Sequence, residues 1–176
     1  AKVARLRAES NGDQVIQFSN ALKASSPSLI REQRSLFQQH LAQLSASQDV
    51  VEQQIKQKKL ALAQAKFDFK QATEQMVLAK KELNILQPLY EQGVVSQVEL
   101  LQAEKASLRA SGEATSLQFK IPQLVASIGE SQNKRKQLKL NFEGDAQQVF
   151  NEATAELNQM SQGHGALEDK VERTQV

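Results

Sequence analysis

Cysteine is absent from the chain, which excludes a disulfide framework and any thiolate-bound metal. Glycine and proline are scarce, at 7 and 3 of 176 residues. A β fold needs turn formers every several residues, so this scarcity argues against one. Aromatics make up only 5%. No apolar run approaches the roughly 18 residues of a membrane span, and no signal peptide opens the chain. Neither sign of charge prevails: the net charge is +2, which gives no case for a nucleic-acid or membrane-surface binder on charge alone. The two histidines, His40 and His164, lie in different segments with no carboxylate pattern around them, and read as solvated helix-surface residues. Gly112, Gly129, Gly144 and Gly163 are isolated in helical context, so no glycine loop cradles a phosphate. Acidic pairs lie on helix surfaces with no pocket to shift their pKa values. Neither an enzyme nor a cofactor or metal is expected.

What remains is a set of helix formers, Ala, Leu, Gln, Glu and Lys. With 40% hydrophobic residues and a mean hydropathy of −0.50, the apolar content is a stripe and not a thick core. The pattern begins mid-helix at Ala1 and stops at Val176, which reads as a piece of something longer. Ala1–Glu9 looks like the end of a helix, broken by Asn11-Gly12-Asp13. Residues 14–25 read as a loop with room for one helical turn. Ser26-Pro27 suits a helix start, with Ser as cap and Pro at the first helical position. Apolar residues then recur at alternating spacings of four and three: Phe37, Leu41, Leu44, Gln48, Val51, Ile55, Lys58, Leu62, Ala65, Phe69, Ala72, Met76, Ala79, Leu83, Leu86, Tyr90. Only Gln48 and Lys58 interrupt the series. A repeat of 3.5 residues held this long is a coiled-coil seam. A helix of roughly 65 residues would be about 100 Å long.

Gly93 supplies the left-handed position that stops the first long helix. Ser96-Gln97-Val98-Glu99 has the capping-box pattern that starts a second. Its seam runs Leu100, Ala103, Ser107, Ala110, Ala114, Leu117, Ile121, Leu124, Ile128, Ser131, Arg135, Leu138, Phe142. The later apolar residues Val149, Ala153, Leu157 and Met160 shift phase, so the packing partner changes there. Reflecting the chain about Gly93 places each seam on the other: Leu86 on Leu100, Leu83 on Ala103, Met76 on Ala110, Leu62 on Leu124, Leu44 on Phe142. Alanines near the reversal keep the helices close. The fold expected is all-α: a long antiparallel two-helix coiled-coil hairpin with a short additional N-terminal helix. The divisions are 1–26 for the N-terminal helix and loop, 27–92 for the first long helix, 93–96 for the tip, and 97–176 for the second helix. The last is expected to kink near Pro122 and to be interrupted near Gly163-His164-Gly165.

Two features could carry function. Lys56, Lys58 and Lys59 and the cluster Lys134-Arg135-Lys136 with Lys139 are basic, and read either as a solvated charged face or as a nucleic-acid arm. No aromatics are interleaved for base stacking. Lys58 and Arg135, at seam positions, are expected to snorkel outward and to help fix register. At the reversal Leu89, Tyr90, Val94, Val95, Val98 and Leu101 crowd apolar side chains. Part of them close the hairpin's own core, and the rest suit docking into grooves between a partner's helices.

The stretch from Leu86 to Leu101, LQPLYEQGVVSQVELL, resembles the hairpin turn of HlyD-family membrane fusion proteins, the periplasmic adaptor subunits of type I secretion systems. The run from Pro27 to Phe37 looks like the start of that family's long helix. Lys120-Ile121-Pro122 looks like its mid-helix proline, and Glu172–Val176 like the run into its lipoyl-like domain. The resemblance implies a protein anchored in the inner membrane and located in the periplasm, partnered there by an ABC transporter. It implies hexamers whose hairpins form a tube and whose tips meet a TolC-like outer-membrane channel. It also implies partner-binding roles for Leu89, Tyr90, Gly93, Val94, Val95, Ser96 and Glu99. Related drug-efflux adaptors carry an Arg, a Leu four residues later and a Ser seven beyond that; Leu89 and Ser96 match, whereas Ile85 stands in the Arg position. Polar, Gln-rich outer faces would line up sideways with neighbouring hairpins. The other readings are a nucleic-acid-binding arm and a purely structural spacer of cytoskeletal or motor type.

Overall fold

The computed structural model describes the backbone of residues 1–174 and the side chains of residues 1–163. The described residues contain four helices: α1 (Lys2–Asn11), α2 (Asn20–Ser25), α3 (Pro27–Glu91) and α4 (Gln97–Thr174). They contain no strand. Two compact units are formed, one from Ala1–Val50 with the chain from Lys134 onward, the other from Val51–Asn133.

The second unit is the hairpin proper. Its seam is the one the heptads predict: Val51, Ile55, Ala65, Ala72, Ala103, Ser107, Ala114, Ile128 and Ser131 are all buried, and Ile55 is the most enclosed large side chain, at 2% exposure. Leu62, Phe69, Met76, Ala79, Leu83 and Leu86 are half-buried, as are Leu100, Ala110, Leu117, Ile121 and Leu124. Isolated helices draw little stability from propensity, so burial of this stripe is what makes α3 and α4 persist. Buried alanines allow a close approach near the reversal. Lys58 departs from expectation. Its Nζ does not snorkel outward but donates across the hairpin to the Ser127 carbonyl (3.1 Å) and to Ser131 Oγ (2.8 Å). The reason is that Ser131 is small and polar: it leaves room for the lysine stem and supplies an acceptor.

The first unit answers where the N-terminus packs. Ala8, Ile16, Phe18, Ile30 and Phe37 form one buried cluster, with Ala1, Ala4, Leu22 and Leu41 against it. The segment after α1, read as loop, therefore delivers two core side chains and then one short helix capped by Ser19, whose Oγ accepts from the Leu22 amide. Gly12 ends α1 at φ 71°. The Asp13 amide bonds the Ala8 carbonyl and the Gly12 amide the Glu9 carbonyl, the paired bonds of a Schellman stop. Arg7 lies over the Phe150 ring at 5.6 Å and Arg34 over Phe18 at 5.8 Å. On α4 the phase shift is real but falls on Ala146, Phe150 and Ala153, whereas Leu157 and Met160 are exposed.

Two expectations are corrected. α4 continues without a break through Gly163-His164-Gly165, because a helical glycine costs only about 1 kcal/mol against alanine; the His164 side chain lies outside the described residues. And His40 is not a bare surface residue: its Nδ1 lies 2.9 Å from Glu9 Oε1. Glu9 is 2% exposed and also accepts from Arg5 Nη1 at 2.8 and 2.7 Å. Arg5 Nε in turn donates to Gln33 Oε1 at 2.9 Å. A carboxylate from one helix thus reaches a histidine on another, a pairing no local spacing reveals.

Candidate partner-binding tip

The reversal is built from backbone chemistry. Gly93 sits at φ 74°, where a side chain would strain the chain. The Val94 amide bonds the Leu89 carbonyl and the Gly93 amide the Tyr90 carbonyl, both at 2.9 Å, which satisfies carbonyls at the end of α3. Pro88 is tolerated inside the last turn, and its carbonyl accepts from the Gln92 amide at 3.2 Å.

α4 starts at a complete capping box. The Ser96 amide donates to Glu99 Oε2 at 2.7 Å, Ser96 Oγ donates to the same oxygen at 2.9 Å, and the Glu99 amide donates to Ser96 Oγ at 3.3 Å. These bonds hold the Glu99 carboxyl below the usual carboxylate range, the Ser96 amide contributing most and the Ser96 hydroxyl next. Glu99 and Ser96 therefore first serve the start of the helix, and only the spare acceptor positions of these oxygens are open to a partner.

The apolar residues of the tip divide in two. Leu89, Val95 and Leu100 are half-buried and close the end of the seam. Val94 (67% exposed), Val98 (63%), Tyr90 and Leu101 face outward. Ile85, in the place of the adaptor arginine, is exposed as well. The tip thus offers a small apolar surface around a rigid, self-satisfied turn, the form that suits seating between partner helices.

A family profile described as AprE, long alpha-helical hairpin, matches residues 1–170. The chain belongs to the AprE long alpha-helical hairpin family. Its fold is that of the soluble domain of LipC, a membrane fusion protein of a type I secretion system: the TM-score is 0.82 at 18% identity, over 91% of this chain and 78% of that one. No curated protein sequence matches the chain. The resemblance to membrane fusion proteins carried by residues 86–101 thus agrees with both the hairpin family and the fold. No helix among the described residues is long and apolar enough to cross a membrane.

Two features escaped the sequence reading. The Arg5–Glu9–His40–Gln33 network was hidden because an Arg and a Glu four apart usually form an ordinary surface pair. The other is on the outer faces of the hairpin, which are not uniformly polar and Gln-rich as expected: Leu60, Phe67 and Leu78 on α3 and Leu108 and Phe119 on α4 are exposed. Their spacing was present in the sequence, yet the stronger seam periodicity masks it.

Proposed function

We propose that this chain is the helical hairpin domain of a periplasmic adaptor in type I protein secretion. In this reading it links an inner-membrane ABC transporter to a TolC-like outer-membrane channel, as part of a homo-oligomer of six copies. Its task is mechanical and not catalytic: the hairpin holds the tip at a set distance, and the tip seats in the channel. The observation that carries the reading is an apolar tip on a turn whose own hydrogen bonds are closed, in a chain of the AprE hairpin family. Val94, Val98 and Tyr90 supply contact area, Leu89 and Val95 brace it from below, and Gly93 with the Ser96–Glu99 box sets its shape. Within the basic cluster of α3, Lys58 is committed to Ser127 and Ser131.

The test is to place Val94→Asp and Val98→Asp in the whole protein in cells. Both side chains are exposed, so helix content should be unchanged. Export of substrate should fall at least tenfold, and the outer-membrane channel should no longer co-purify. Normal export with normal channel recruitment would remove the tip from the mechanism.

A further inference from the structure

Seven exposed apolar residues on the outside of the hairpin follow one spacing. On α3, counted away from the tip, they are Ile85, Leu78, Phe67 and Leu60, separated by 7, 11 and 7 residues; on α4 they are Leu101, Leu108 and Phe119, separated by 7 and 11. Steps of 7 and 11 return to within about 20° on an α-helix, so each set is a single stripe. All seven are between 47% and 76% exposed. The two stripes also match in height. Ile85 and Leu101 each lie 8 residues from Gly93, Leu78 and Leu108 each 15, and Phe67 and Phe119 each 26. Leu60 falls level with Ala126.

We propose that the α3 stripe of one copy packs against the α4 stripe of the next copy of this chain, side by side with their tips level. This inference rests on the self-assembly in the function proposed above and adds the contact surface and its register. Two hairpins set level bring Ile85 to Leu101, Leu78 to Leu108 and Phe67 to Phe119. At about 100° per residue the α3 stripe lies roughly 130° round the helix from its own seam residues Met76, Ala79 and Leu83, and the α4 stripe roughly 130° from Ala103, Ser107 and Ala110 in the opposite sense. Because the two helices run antiparallel, the stripes face opposite edges of the hairpin. The surface is therefore heterologous: one edge binds the other, and repetition closes a ring or continues as a filament. Each stripe exposes on the order of 400 Å² of apolar side chain, about half of the ~800 Å² per partner of a standard interface.

This chain holds no cysteine of its own, and any cysteine elsewhere in the whole protein would first be replaced by serine. The whole protein would carry Leu78→Cys with Leu108→Cys, or Phe67→Cys with Phe119→Cys, and be oxidised in cells. A disulfide needs Cβ atoms within roughly 4.5 Å. Each level pair should give a ladder of linked multimers, and the staggered pair Leu78→Cys with Phe119→Cys should give none. Dimers from Leu78→Cys alone, or a ladder from the staggered pair, would overturn the arrangement. If level pairs fail while an amine cross-linker still yields oligomers, this surface is wrong but self-assembly survives. If neither reagent links the chains, both readings fall. A photo-reactive residue at position 78 should capture the segment around Leu108 of a second copy; capture of a different protein in its place would also overturn the proposal.

Discussion

Replacement of Glu9 by alanine should release α1 from the first turns of α3. Arg5 is 8% exposed and Glu9 2%, so the mutation leaves a buried guanidinium with no anionic partner, only the neutral Gln33 Oε1 at 2.9 Å and the His40 Nδ1 at 3.3 Å. An uncompensated buried charge of this kind costs about 3–5 kcal/mol. Against it stands the apolar burial that docks α1, chiefly Leu6, worth about 1.5–3 kcal/mol, with Ala8 adding less. The two quantities are comparable, so α1 detaches in preference to keeping the charge buried. A ten-residue helix is shorter than the ~12–15 residues an isolated helix needs, so detachment melts it. Amide hydrogen exchange reads this directly. The Asp13 amide, now bonded to the Ala8 carbonyl at 2.8 Å, should exchange about 100-fold faster, the equivalent of ~3 kcal/mol at 1.4 kcal/mol per decade. Amides around Ile55 should not change. Arg5→Met combined with Glu9→Leu removes both charges and should return exchange to near the wild-type rate. Unchanged protection of residues 5–13 in Glu9→Ala would show that the network contributes nothing to docking.

Three further outcomes follow from the geometry. The Glu99 carboxyl is held below its ordinary range, so its contribution to the start of α4 is complete above the unfolded pKa and disappears as pH falls through the lowered folded value; an NMR titration should show the Ser96 amide resonance moving with that carboxyl, and Glu99→Gln should abolish the movement. Lys58→Ala should cost about 1–2 kcal/mol by chemical denaturation, since it removes two bonds from a partly exposed ammonium, and Lys58→Leu should recover most of that loss; a silent Lys58→Ala would mean the lysine bonds are idle. Gly93→Ala should cost about 1–2 kcal/mol from backbone strain alone, because an added Cβ meets nothing within 4 Å; Gly12→Ala closely meets only the flexible end of the Glu143 side chain, which can swing aside, and should cost about the same in the same denaturation series.

The hairpin was readable because its determinants are local or periodic. Gly93 stops a helix for steric reasons, Ser96 and Glu99 start one through their own backbone, and the 3.5-residue stripe names the buried face whatever it packs against. The tip was readable for the same reason, but not which of its apolar residues close the seam and which remain outside: Tyr90, in phase with the seam, is exposed. Arg5, Glu9, Gln33 and His40 were not, because bonds between residues 28 and 31 apart depend on how α1 is laid against α3, and no sequence spacing encodes that placement. The same holds for Ile16 and Phe18, which look like loop residues until a core exists to receive them, and for Lys58, whose direction was decided by the gap beside Ser131. Sequence alone determined the two long helices, the turn between them and the apolar face of each, since these depend on neighbours along the chain. Tertiary structure decided where the buried charges meet and which apolar residues stay in water, since both depend on which surfaces have already been covered.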